Sequence, residues 1–282
     1  MNDGAHPDVV FLHGAWVGPS CWSSFRRHFA ARGLRTIAPA WPYDDRPVEA
    51  LRATPDPALA GLGVKEIVDH YESILRALPN KPLLVGHSFG GLFVQMLLDR
   101  GLGSGGVAID SAPPRGVMPT PMAVRAGAGV LFSWRGWKRV LRISPESFAW
   151  GFTHDLDAAA QARAYEEHVI PTPGRPFFQA AFAPFLSSTA VRFDDATRAP
   201  LLLVAGERDR TVPAAMNRAN FAKYQRHAAV RDKTDFREFA GRSHWIIAEP
   251  GWEEVADAAI AWARGRDLLP SSAESAPSRA TA

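Results

Sequence analysis

Gly86-His87-Ser88-Phe89-Gly90 sets a serine between two glycines, after the apolar run Leu83-Leu84-Val85 and before an amphipathic run, Leu92 to Arg100, that stops at Gly101. Strand, sharp turn and helix in that order is the setting in which Gly-x-Ser-x-Gly carries chemistry. A side chain at Gly86 or Gly90 would collide with neighbouring backbone in so tight a turn. Ser88 would be strained, with its hydroxyl exposed above a sheet. The N–H groups at the start of the helix would face any negative charge forming there. A serine hydroxyl is a weak nucleophile at neutral pH, so a base must take its proton as it attacks. Alone, the pentapeptide reads equally well as a glycine-rich turn. The distinction lies in whether the chain also supplies a base, an acid and oxyanion donors.

The elements that must position these groups alternate along the chain. Asp8 to Leu12 reads as a buried strand ending in His13-Gly14-Ala15-Trp16. A helix follows, with Ser20 as its N-cap, Trp22, Phe25 and Phe29 on one face, and Gly33 as its stop. Arg35 to Ala38 is the next strand, and 43–62 is a Pro- and Ala-rich surface connection. Val64, Ile67, Val68, Tyr71, Leu75 and Leu78 recur at helical spacing. The Ser88 strand and helix come next, then a strand from Gly106 to Asp110. The alternation resumes with a strand from Pro200 to Ala205, a helix from Pro213 to about Tyr224, a strand from Asp235 to Phe239, and a helix marked by Trp252, Val255, Ala259 and Trp262. Alternating strands and helices predict a mostly parallel, doubly wound α/β sheet of about six strands.

Between Pro113 and Arg198 the pattern breaks into short, Pro-punctuated runs rich in Phe and Trp. We read this as a helical cap inserted between two strands, with core at 8–112 and 199–265 and cap at 113–198. The termini, 1–7 and 270–282, read as disordered tails.

The 282 residues are 46% hydrophobic and 22% charged, enough for a large core. A formal net charge of +3 with no basic block argues against a nucleic-acid partner. Cys21 is the sole cysteine, which excludes an intrachain disulfide and a cysteine zinc site, and it reads as a small buried apolar residue. No signal-peptide pattern and no apolar run of membrane-spanning length is present. The expectation is a cytoplasmic protein with a small-molecule substrate, no membrane partner, no metal, no cofactor, and an oligomeric state left open.

In an open parallel sheet, ligands bind beyond the carboxyl ends of the strands. His13-Gly14-Ala15, Ser88, Asp209 and His244 all fall there. On these residues the chain resembles an α/β-hydrolase over about 8–264. The order Ser88, Asp209, His244 matches the family's nucleophile, acid and histidine. Gly206-x-x-Asp209-x-x-Val212-Pro213 and Gly241-x-x-His244 resemble its acid and histidine loops. The family's first two strands have no counterpart, a shortening shared with small esterases that begin at the His-Gly strand.

The resemblance implies that His244 is the base, that Asp209 orients it, and that the backbone N–H groups of Ala15 and Phe89 hold the oxyanion. Asp209 could instead only start the turn before Pro213, and Asp110 and Glu207 are rival carboxylates; the loop match favours Asp209. His13 and His87 read as structural. A serine at position 88 argues against the epoxide hydrolases and haloalkane dehalogenases, which use aspartate. Gly14 and Trp245 depart from the hydroxynitrile lyases. The expectation is cofactor-free hydrolysis of an apolar or aromatic ester through an acyl-serine. Lactone, thioester or carbon–carbon cleavage, perhydrolysis and a non-catalytic receptor are the alternatives.

Overall fold

The computed structural model describes residues 6–270. The tails expected at 1–7 and 270–282 lie almost wholly outside the described residues. Six strands, β1 (Val9–Leu12), β2 (Thr36–Ile37), β3 (Leu83–His87), β4 (Gly105–Ile109), β5 (Leu201–Gly206) and β6 (Thr234–Phe239), form one sheet in the order β2-β1-β3-β4-β5-β6. Every pairing is parallel. Register runs Val9 to Leu83, Leu83 to Gly105 and Val107 to Leu202. The four inner strands are buried at every position, which is why they read as continuous apolar runs rather than alternating ones. The edges differ: β2 is two residues long, and β6 (Thr-Asp-Phe-Arg-Glu-Phe) turns charged side chains outward.

Helices α1 (Ser23–Ala30), α2 (Val64–Arg76) and α3 (Phe89–Asp99) belong to the first half of the sheet. Ser20 does not cap α1. It lies in a single 3-10 turn, Pro19–Trp22, and its hydroxyl pairs with His168 Nδ1 at 3.1 Å. The α3 helix begins at Phe89, three residues before the start inferred from periodicity, because Gly90 and Gly91 carry no apolar signal yet are fully enclosed. The connection at 43–62 is not featureless: it holds a helix at Val48–Ala53 and a 3-10 turn at Pro57–Gly61. Six residues span too few turns for a period to show.

Between β4 and β5 the chain forms five short helices, α4 (Pro121–Ala126), α5 (Ala128–Leu131), α6 (Pro145–Gly151), α7 (Ala158–His168) and α8 (Arg175–Ala181). Val140–Leu141 and Thr172–Pro173 pair antiparallel among them. Thr120 and Ser144 cap the backbone of α4 and α6, and the proline that follows each opens the helix. This insert is tied to the first loop of the sheet, where Ile170 N donates to Trp16 O at 2.9 Å. Helices α9 (Ala214–Gln225) and α10 (Trp252–Arg264) complete the molecule, and α10 packs on α1.

Candidate active site

Ser88 stands between β3 and α3 with φ 57° and ψ −119°, left-handed backbone that a β-carbon disfavours. Packing over-determines it. A β-carbon on Gly14 would sit 2.7 Å from Ser88 Cβ and 3.0 Å from His87 O, so the loop after β1 lies directly on the serine. Glycine at position 14 is what permits that approach.

Asp209 and His244 come from the loops after β5 and β6. Asp209 Oδ2 accepts from His244 Nδ1 at 2.6 Å, and both side chains are completely buried. The other oxygen, Oδ1, accepts from Thr211 N at 2.6 Å and Val212 N at 2.8 Å. Asp209 therefore starts the turn before Pro213 and also holds the imidazole, so the two readings of this residue are compatible. A donor at Nδ1 leaves the lone pair on Nε2. That atom is buried and has no hydrogen-bond partner among the described residues. The ring lies 4.6 Å from the ring of His87, the residue before Ser88, and 4.6 Å from Phe152. Asp209 and His244 are joined here, and no hydrogen bond links His244 to Ser88 among the described residues. Such links commonly tighten only when substrate binds.

Of the rival carboxylates, Glu207 is exposed and accepts from Gly241 N. Asp110 is wholly buried, has φ 45°, and accepts from Gly206 N through Oδ1 at 2.7 Å. Burial first, and then the charge of Asp209, push its pKa far above the carboxylate range. Its other oxygen, Oδ2, is buried with no hydrogen-bond partner among the described residues. Sequence pattern treats the two as rivals, whereas the fold makes them neighbours.

Two further groups support the loops. His13 Nδ1 donates to Gly14 O at 2.9 Å, and Nε2 accepts from Trp41 N at 3.2 Å. Both bonds require a neutral ring, and burial pushes its pKa down to about 4. A group whose pKa is lowered on folding contributes stability above its unfolded value, and loses it as pH falls through the folded one. The stability gap between wild type and His13→Gln should therefore narrow by ~3 kcal/mol from pH 7 to pH 4 in paired urea titrations. A constant gap would contradict this role. The histidine loop hangs on Phe152, whose carbonyl accepts from Trp245 N at 3.1 Å and lies 2.8 Å from the Ser243 hydroxyl. Glu249 also holds that loop by accepting from Ser243 N at 3.0 Å. Sequence reading passed over Glu249, since a lone carboxylate five residues past the histidine carries no periodic signal.

Ser88 opens into a cavity with an empty volume of about 620 Å³, including the part open to solvent. Ala15 and Phe89 line it beside the serine, and Trp16, Phe152, Phe177 and Met216 make its walls mainly apolar. His244 does not line the cavity, and its ring meets Phe152, which does. Among the described residues, His87, Asp110 and His244 could bring metal-ligating atoms within 4.8 Å of one another. Each already bonds within the protein: His87 Nε2 to His244 O at 2.8 Å, Asp110 to Gly206, and His244 to Asp209.

The family model described as "Alpha/beta hydrolase family" matches residues 9–258. No curated protein sequence matches the chain. Among solved structures, a monoacylglycerol lipase of Paleococcus ferrophilus is 22% identical, with a TM-score of 0.60 over 91% of this chain and 95% of that one. A pyrethroid hydrolase from Sphingobium faniae JZ-2 is 18% identical, with a TM-score of 0.64 over 93% and 98%. A thermophilic esterase from Thermogutta terrifontis is 17% identical, with a TM-score of 0.61 over 93% and 90%. At these identities the likeness concerns the fold, and the family match rests on the sequence itself. The chain belongs to the alpha/beta hydrolase family.

Proposed function

We propose that this protein hydrolyses a carboxylic ester of a small, largely apolar or aromatic substrate through an acyl-serine intermediate. The observation that carries the reading is the buried 2.6 Å bond between Asp209 and His244, set beside a strained serine that opens into an apolar cavity. Ser88 Oγ attacks the carbonyl carbon while His244 Nε2 takes its proton. Asp209 stabilises the resulting imidazolium. The N–H groups of Ala15 and Phe89 hold the tetrahedral oxyanion; losing one such donor typically costs ~10²–10³ in rate. His244 then protonates the departing alkoxide, and water attacks the acyl-enzyme with the same base. The acyl-enzyme step needs no metal or cofactor.

The test is covalent labelling by a fluorophosphonate, with turnover of a panel of p-nitrophenyl esters. A single modification mapped to Ser88, together with ester turnover, supports the reading. Absent labelling and absent turnover, with tight binding of an apolar ligand, would make the fold a receptor.

The carboxyl pair gives a second prediction. Asp110 accepts from Gly206 N, and an asparagine can still accept there, whereas His244 bonds to Asp209. Asp110→Asn should therefore stay within ~10-fold of wild-type kcat, whereas Asp209→Asn should fall ~10⁴-fold through loss of the correct imidazole tautomer. The reverse ranking in steady-state kinetics would transfer the acid role to Asp110.

A further inference from the structure

The aromatic side chains of the insert divide into two sets. Phe148 and Phe152 are buried, and Phe177 lines the cavity. Phe132 and Trp134 are 81% and 83% exposed, Phe185 76%, and Trp137 and Phe182 are also open to solvent. Isolated exposed apolar residues are ordinary, but several large aromatics presented together mark a contact surface. These come together because α5 packs on the turn at Gly136–Lys138 and on α8, with the Trp137 ring 5.5 Å from Phe178. They also rim the cavity: Leu131 and Ala181 line it, and the next residues, Phe132 and Phe182, face solvent. Local backbone holds the tip outward. Arg135 has φ 52°, and a β-carbon on Gly136 would lie 2.3 Å from Val130 O.

One stretch near these aromatics carries charge of one sign: between Asp110 and Glu146 the chain has six Lys or Arg and no Asp or Glu, and none of the six makes an ion pair among the described residues, whereas Arg175 and Arg192 pair with Glu66 and Asp195. Arg125, Arg135, Lys138 and Arg139 are all exposed. Some cations elsewhere are matched, as where Arg100 pairs with Asp69 and Glu72, and Arg218 with Glu238. Docking this face on a second copy would set the same cations against each other. Aromatic residues among unmatched cations complement apolar chains beneath anionic headgroups.

We propose that this face of the insert docks peripherally on an anionic lipid surface. Among the described residues no helix is long and apolar enough to cross a membrane, so the contact is one of partial insertion. It qualifies the expectation of no membrane partner, which rested on the absence of a span. If the ester-hydrolase reading holds, an apolar substrate would pass from the lipid into the cavity without crossing water.

The test is co-sedimentation of the full chain with vesicles of phosphatidylcholine alone or containing phosphatidylglycerol. Wild type should partition ~10-fold or more better onto the phosphatidylglycerol vesicles, with the advantage falling as salt is raised. Phe132→Ser with Trp134→Ser should cut that partitioning ~10-fold or more at an unchanged melting temperature, because neither ring is buried. Lys138→Gln with Arg139→Gln should remove most of the preference for anionic vesicles, and gives an independent reading if the first variant misfolds. Three results would overturn the proposal: no wild-type binding to phosphatidylglycerol vesicles, binding unchanged in both variants, or a wild-type dimer in light scattering that Phe132→Ser with Trp134→Ser dissolves. Binding is read without turnover, so this proposal and the ester reading fail separately.

Discussion

Ser88→Ala is expected to lower kcat by ~10⁴-fold or more on every ester that the wild-type protein turns over. In the proposed mechanism Ser88 is the one group whose loss removes the covalent route entirely. What remains is attack by water in a site still able to bind the ester, so KM should change much less than kcat. Folding should be spared. The β-carbon that meets the Gly14 loop is retained, and the Ser88 backbone bonds, N to Ile109 O at 2.9 Å and O from Ala112 N at 3.0 Å, do not involve the hydroxyl. His244→Ala should lose a comparable factor, and the double variant little more, because residues acting as one unit are not additive. Activity within ~10-fold of wild type in purified, folded Ser88→Ala would remove the mechanism.

Gly90→Ala should be the most damaging single methyl in the chain. Its β-carbon would lie 1.9 Å from Leu12 O and 2.6 Å from Leu12 C. Gly86→Ala is nearly as severe, at 2.1 Å from Gly90 O and 2.3 Å from Gly90 C. All of these atoms are backbone, so no side-chain rotation relieves the overlap; α3 must part from β1 and β3. Such strain at the centre of the sheet is expected to cost about 4 kcal/mol or more, measured by chemical denaturation or seen as failure to accumulate soluble protein. Gly129→Ala is the control. A β-carbon there meets nothing within 4 Å, and alanine in that helix should be neutral or stabilising by ~0.5–1 kcal/mol. Equal effects at positions 90 and 129 would refute the steric account.

Much of this architecture could be read from residues alone, for physical reasons. Strands buried on both faces advertise themselves as Val-Val-Phe-Leu or Leu-Leu-Leu-Val-Ala, and the loops at their carboxyl ends carry the polar residues, because that edge faces the cavity. Asp209 and His244 stood out because turn chemistry and glycine punctuation mark their loops. Short helices were the hard part: Val48–Ala53 and α5 span too few residues for a period of 3.6 to show. Proximity across the sheet left no local trace either. Nothing in Ile109-Asp110-Ser111 says that its carboxyl lies beside Asp209, and nothing in the run of Phe and Trp separates the cavity wall at Phe177 from the exposed tip at Trp134.

The hold of the Phe152 carbonyl on the Ser243–Trp245 loop bears on how selectivity could be re-engineered. Residues shaping the pocket invite wholesale transplantation from a related scaffold, as though they were a detachable module. Here one peptide group of that module is a peg on which the His244 loop is slung. A chimera that discards it would lose turnover before any new preference could be assayed, whereas one that leaves 148–153 untouched and recodes only the outer helices keeps the engine and the selector separable.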